Sequence, residues 1–202
     1  MELLSRLLGG VDRVKIMRFF LHHDDGTFTP KDIVDKTKSK NNIIRKELGA
    51  LSAIGFIERK RTRTISKNGK GKEILGYRLN QSFPHNQALK DLLFDFELLD
   101  KRELASRFKT VGRIKLFIVS GVFVGEEKSR VDILIVGEAI KKPKAEKILE
   151  TLSAELGREV VYSIMDVEEY EYRYKMYDKF VRDIFDMPHE KVVDKITEKV
   201  FI

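Results

Sequence analysis

Apolar residues near the start of the chain recur with helical rather than strand spacing. In Val11 to His23 (VDRVKIMRFFLHH), Val11, Val14, Met17, Phe20 and Leu21 share one side, with Ile16 and Phe19 beside them, which predicts an amphipathic helix with a wide buried face. Asp24-Asp25-Gly26 ends it. Thr29-Pro30-Lys31-Asp32 opens a short second helix, Pro30 to about Lys36, that buries Ile33 and Val34. Thr29 can cap it, Pro30 suits the first helical position, and Asp32 favours the positive end of the helix dipole. Ser39 can cap a third helix, Lys40 to about Ile54. Its apolar stripe is Ile44, Leu48, Leu51 and Ile54, and its opposite face shows Asn41, Asn42, Arg45, Gly49 and Ser52. After Gly55 the period changes. Phe56 to Arg63 alternates loosely, Ser66-Lys67-Asn68-Gly69-Lys70-Gly71-Lys72 interrupts, and Glu73 to Leu79 follows. Asn-Gly is a strong hairpin signal, so this stretch reads as a β-ribbon with a basic tip.

Further on, Gln87 to about Phe108 is periodic enough for one helix or a pair, with Leu89, Leu92, Leu93, Phe96, Leu99 and Leu104 on the apolar face. Its role is that of a connector or a dimer seam. Strand signals follow in Arg113–Val119, Val131–Val136 and Glu159–Met165, with an amphipathic helix over Lys142–Leu156 between the last two. The expected organisation is α+β. A three-helix-plus-ribbon domain occupies residues 1–84, a helical connector 85–107, and a small mixed or antiparallel sheet with flanking helices 108–202.

Charge divides along the same line. The 202 residues carry 39 Lys and Arg against 32 Asp and Glu, a formal charge of +7. Residues 1–84 hold 18 bases and 9 acids, whereas 85–202 hold 21 and 23. A basic half joined to a neutral one suggests a nucleic-acid partner for the first half. At 42% apolar residues the chain can build hydrophobic cores, and with no cysteine it has no disulfide, thiolate zinc site or cysteine nucleophile. The N-terminus does not read as a signal peptide, and no stretch approaches the ~20 apolar residues of a membrane span. The expected setting is cytoplasmic.

Three helices followed by a basic ribbon resemble the winged helix-turn-helix family over residues 1 to about 82. Leu51-Ser52-Ala53-Ile54-Gly55-Phe56-Ile57-Glu58 is similar to that family's link from recognition helix to wing. The resemblance implies duplex DNA as partner. Asn can pair two-fold with adenine and Arg with guanine in the major groove, while a flexible ammonium suits phosphate. The candidate DNA-contacting residues are therefore Ser39, Lys40, Asn41, Asn42, Arg45 and Lys46 on the third helix, with Arg59, Lys60, Arg61, Arg63, Lys67, Lys70 and Lys72 on the ribbon.

Leu116 to Gly137 resembles a second family, the minimal nucleotidyltransferase domain of the DNA polymerase β superfamily, whose signature is a strand, a Gly-Ser turn, a short glycine-containing helix and Asp-x-Asp on the next strand. The corresponding residues are Ser120-Gly121, Gly125-Glu126 and Arg130-Val131-Asp132, and Glu168-Glu169-Tyr170 through Arg173 with Phe180 to Phe185 continue the likeness. That family's chemistry needs clustered carboxylates for two Mg²⁺. Here Arg130 stands where the first Asp belongs, Ser-Gly is reversed, and Val160–Met165 offers no third carboxylate. The expectation is a domain without catalysis, metal or cofactor. Ser120, Gly121, Arg130 and Asp132 would be vestiges of the motif, with Asp132 pairing with Arg130 or another base.

His22 and His23 are adjacent and make a poor metal pair, and His85 and His189 are isolated. Tyr170, Tyr172, Tyr174 and Tyr177 could stack on bases, but a helix packing surface is the simpler reading. The leading expectation is a DNA-binding transcriptional regulator acting as a homodimer on a pseudo-palindrome, its second domain a sensor or oligomerisation module for an unknown small-molecule or nucleotide ligand. The alternatives are an active nucleotidyltransferase modifying a protein or tRNA, and an antitoxin-like protein-binding adaptor.

Overall fold

A computed structural model of the chain describes residues 2–65, 71–94, 100–126 and 128–196. The architecture is α+β, and it divides into two compact units, Met1–Phe94 with Ser153–Glu159, and Asp95–Leu152 with Val160–Ile202. No helix among the described residues is long and apolar enough to cross a membrane.

The first unit opens with a helix the spacing did not anticipate, α1 (Glu2–Leu8), ahead of α2 (Val11–His22). Gly9 and Gly10 separate them at φ +90 and +140, conformations that L side chains rarely adopt. α2 buries Val14, Ile16, Met17, Phe19, Phe20 and Leu21. Val11, expected on that face, is 45% exposed because it stands at the helix start, ahead of the packed turns. α3 (Pro30–Thr37) begins with a reciprocal cap. Asp32 N–H donates to the Thr29 hydroxyl at 3.2 Å, and Thr29 N–H donates to the Asp32 carboxylate at 2.8 Å.

Lys38, in the left-handed region at φ 54, turns the chain into α4 (Asn41–Ala53). Ser39 does not cap α4. The cap position falls to Lys40, and the Ser39 hydroxyl donates instead to the Asp12 carboxylate on α2 at 2.5 Å. α4 buries Ile44, Leu48 and Leu51. Ile54 lies past its end, at the turn into Gly55, and is 63% exposed rather than part of the stripe. Buried Glu47 accepts from Arg13 Nε at 2.6 Å, a second tie between α4 and α2.

β1 (Ile57–Ile65) and β2 (Gly71–Leu79) form an antiparallel ribbon, running from Ile57 opposite Leu79 to Ile65 opposite Gly71. The Asn68-Gly69 turn falls outside the described residues. Phe28 adds a one-residue third strand, its N–H and C=O each bonded to Tyr77 at 2.8 Å. The ribbon's root, Ile57 and Leu79, belongs to the core.

The periodic stretch after the ribbon is two helices, α5 (Asn86–Leu93) and α6 (Lys101–Ser106); Phe96 and Leu99 fall outside the described residues. α5 turns its Leu89–Leu93 row inward, so Leu92, about 100° round the helix from Leu93, is 42% exposed. Arg18 of α2 is buried at 1% exposure. Its Nε donates to Leu93 C=O at 2.8 Å and its terminal nitrogen to Glu155 C=O at 2.9 Å. Burial lowers its pKa to about 10, which still leaves it charged at neutral pH. Beside it, Gly157 sits at φ +73, where an added Cβ would lie 2.7 Å from backbone atoms of Arg18 and Phe19.

The second unit begins with α6, where the Asp100 carboxylate accepts from Arg102 and Glu103 N–H. β3 (Arg113–Ser120), a 3-10 turn (Gly121–Val124) and β4 (Ile133–Glu138) follow. Next come α7 (Lys142–Leu156), β5 (Tyr162–Asp166), α8 (Val167–Lys175), α9 (Lys179–Asp186) and β6 (His189–Asp194). The sheet order is β5-β4-β3-β6. β3 runs antiparallel to β4 and β6, and β4 runs parallel to β5, so the sheet is mixed. β4 is apolar and buried from Ile133 to Gly137, as a strand covered on both faces must be. The parallel β4–β5 pairing needs a long crossover, which α7 supplies.

Gly157→Ala combines a left-handed backbone with a clash against the α2 backbone and should destabilise the protein by about 2–4 kcal/mol. Gly49→Ala, where the added Cβ meets nothing within 4 Å on an exposed helix surface, should stabilise by about 0.5–1 kcal/mol. Urea unfolding midpoints of the two variants, moving in opposite directions, check this.

Candidate nucleic-acid interface

Burial of Ile44, Leu48 and Leu51 obliges α4 to turn its other face outward. Lys40, Asn41, Asn42, Arg45 and Lys46 are all exposed there. Ser39 is 6% exposed and engaged with Asp12, so it is withdrawn from that surface. The first turn of α4 carries no acid, and its free N–H groups and dipole favour an anion at that end. Exposed Lys38 in the preceding turn adds a cation the sequence reading passed over; its place one residue before the cap-like Ser39 was the available signal.

On β1, Arg59, Lys60 and Arg61 are exposed. Arg61 lies 3.9 Å from Glu73, both well hydrated, so that pair leaves the guanidinium available. Arg78 is held closer, at 2.5 Å, by Glu58. Arg63 and Lys72 are placed within β1 and β2, opposite Glu73 and Thr64, and Lys67 and Lys70 fall outside the described residues. Side chains able to read base edges on α4 and side chains able to hold phosphates on the ribbon thus sit on one unit.

In the second unit the motif residues come together differently from expectation. Asp132 does not pair with Arg130, nor with any base among the described residues. It is 4% exposed, and its two carboxylate oxygens accept from Val122 N–H at 3.0 Å and Val161 N–H at 2.9 Å. Gly121, at φ +57, makes room for it, since a Cβ there would meet the carboxylate at 2.1 Å. The Ser120 hydroxyl is buried and donates to Val131 C=O at 2.5 Å. Arg130 turns outward to Asp183 on α9, at 2.8 Å. The first carboxylate after Val160–Met165 is Asp166, and it caps α8 by accepting from Glu169 N–H. Among the described residues, no group of three His, Asp or Glu side chains could hold a metal ion.

The four tyrosines of α8 and the turn after it divide between packing and exposure. Tyr170 is buried, and burial pushes its phenol well above the usual range. Tyr172, Tyr174 and Tyr177 are 64%, 46% and 82% exposed. Tyr174, one turn on from Tyr170, stacks on it at 6.0 Å; Tyr172 points away from that side, and Tyr177 stands in the turn past the helix end at φ 53. Tyr174 and Tyr177, with Phe185 of α9, line an apolar cleft of about 740 Å³. His22 and His23 meet edge-on with ring centroids 4.8 Å apart, and His23 Nδ1 lies 2.9 Å from Phe19 C=O.

Compared with known proteins, the chain matches no family model, no curated protein and no solved structure.

Asp132→Ala orphans two backbone amides and should cost about 3 kcal/mol or more, because hydrogen bonds to a buried charged group are worth ~1.5–3 kcal/mol each. Arg130→Ala, which breaks a half-exposed ion pair, should cost under about 1 kcal/mol. Chemical denaturation of the two variants distinguishes a structural Asp132 from one held for chemistry; equal stabilities would contradict the structural role.

Proposed function

We propose that this protein is a DNA-binding transcriptional regulator of the winged helix-turn-helix type. In this reading α4 enters the major groove, Asn41, Asn42 and Arg45 read base edges, and Lys40 and Lys46 with the ribbon's Arg59, Lys60 and Arg61 hold phosphates. The observation that carries it is the exposed N-terminal end of α4, with no acid in its first turn, where three potential base readers stand between two lysines over the first two turns. Supporting it, Arg59, Lys60 and Arg61 stand exposed on the ribbon of the same unit.

The second unit then acts without catalysis, as a sensor or oligomerisation module. Asp132 bound to two amides, and Arg130 in place of a second carboxylate, favour this over nucleotidyl transfer. One such module covers a half-site, so the protein works as a homodimer on a pseudo-palindrome, with half-sites about 34–36 Å apart. The proposed location is the cytoplasm.

Selection of bound fragments from random duplex DNA at two salt concentrations tests this. The expected result is an enriched inverted repeat whose affinity falls steeply with salt, by about 0.9 in log–log slope per neutralised phosphate. Arg45→Ala should relax preference at one base position by about 1–3 kcal/mol, whereas Lys60→Ala should weaken all sequences alike and reduce the slope by about 1. No enriched sequence at either salt would overturn the reading, and equal loss of selected and random duplex with Arg45→Ala would overturn the role of Arg45.

A further inference from the structure

The second unit carries slightly more acid than base, yet its cations are unevenly placed. Arg102 of α6, Lys109 in the turn after it, Arg113 and Lys115 at the start of β3, and Lys195 just past β6 line one cleft of about 530 Å³. No carboxylate lines it among the described residues. Glu138 reaches both Arg113, at 2.9 Å, and Lys115, at 3.2 Å, so one acid is shared by two of the five. Other acids on the same elements face other cations. Glu190 of β6 pairs with Lys101 at 2.9 Å, Asp194 with Lys191 at 3.2 Å, and Glu103 lies 3.9 Å from Arg107.

The walls are built rather than incidental. The Asp100 cap fixes the first turn of α6, the Lys101–Glu190 pair ties α6 to β6, and Lys195 N–H donates to Lys115 C=O at 2.7 Å. Gly112 on the cleft wall is equally constrained, since a Cβ there would lie 2.9 Å from Ala139 C=O. Like charges gathered in one concavity focus a positive potential and raise the local concentration of anions.

The geometry points to this cleft as a binding site for a small ligand bearing several phosphate groups. Five positive side chains against one carboxylate among the described residues call for a multiply charged anion, and Arg102 and Arg113 offer forks suited to phosphate oxygens. The volume lies in the range of ligand pockets, ~300–1,000 Å³. The cleft lies at the start of β3, whereas Ser120 and Gly121 lie at its far end, so this site is separate from the nucleotidyltransferase-like motif. The binding needs nothing from the DNA-binding reading, although it supplies a ligand for the sensor role within it.

Isothermal titration of the full chain with inorganic tripolyphosphate, at low and moderate salt, tests the proposal. The expected result is saturable binding, weaker for orthophosphate and weakened by salt. The double variant Arg102→Gln/Lys195→Gln should lose about tenfold or more in tripolyphosphate affinity, with duplex DNA binding retained, because two charge-assisted contacts are removed. Lys109→Gln alone should lose a smaller factor, and it serves if the double variant fails to fold. Arg59→Ala/Lys60→Ala should leave tripolyphosphate binding unchanged while weakening DNA binding, so failure of the DNA reading shows separately. No binding to the wild-type chain, or binding undiminished in the folded cleft variants, would overturn the site.

Discussion

A guanidinium kept charged inside a protein must have its donors met, and Arg18 is where that demand organises the first unit. Its forked nitrogens reach the carbonyl at the end of α5 and the carbonyl of Glu155, fixing α2 against both. A lysine could not substitute, because one ammonium cannot present that planar pair of donors. The same helix then positions what lies around it. Asp12 holds Ser39 and Arg13 holds Glu47, so the start and middle of α4 are tied to α2 by two polar contacts above the shared apolar core. Phe19 meets Phe28 edge-on at 4.7 Å, and Phe28 in turn pins Tyr77 of the ribbon. The outward faces of α4 and β1 therefore follow from how α2 is held.

Most of the first unit was legible because local signals agree there. Thr29, Pro30 and Asp32 announce α3 by chemistry that needs no tertiary context, and the capping box is present as those residues require. The 3.6-residue apolar repeat locates α2 and α4. Ser39 was misread because a serine before a helix is an equally good partner for a nearby carboxylate, and Asp12, 27 residues away, is close only in the fold. α1 was missed because its four leucines do not by themselves mark one face: Leu4 and Leu8 pack on the core, while Leu3 and Leu7 stay exposed. The exposed positions of α8 were similarly hidden, since tyrosine spacing alone does not say which side of a helix finds a neighbour.

Net charge misled in an instructive way. A domain-wide balance near neutrality says nothing about where charges stand, and the basic cleft of the second unit draws on residues from 102 to 195, too dispersed to register as a motif. The first unit's charge, by contrast, is contiguous in sequence along α4 and β1, so it was visible without coordinates. The candidate DNA surface was accessible to sequence reasoning for the same reason that the candidate phosphate cleft was not.

The amides around Asp132 carry one more implication. A carboxylate that bridges the turn after β3 to the residue before β5 acts as a cross-link between two strand ends of the sheet. Replacing Arg130 by Asp would recreate a two-carboxylate spelling in the sequence, yet the second oxygen pair would still face inward and Asp183 would lose its cation. A change at Asp132 therefore acts on the backbone of two separate segments at once, not on one side chain alone.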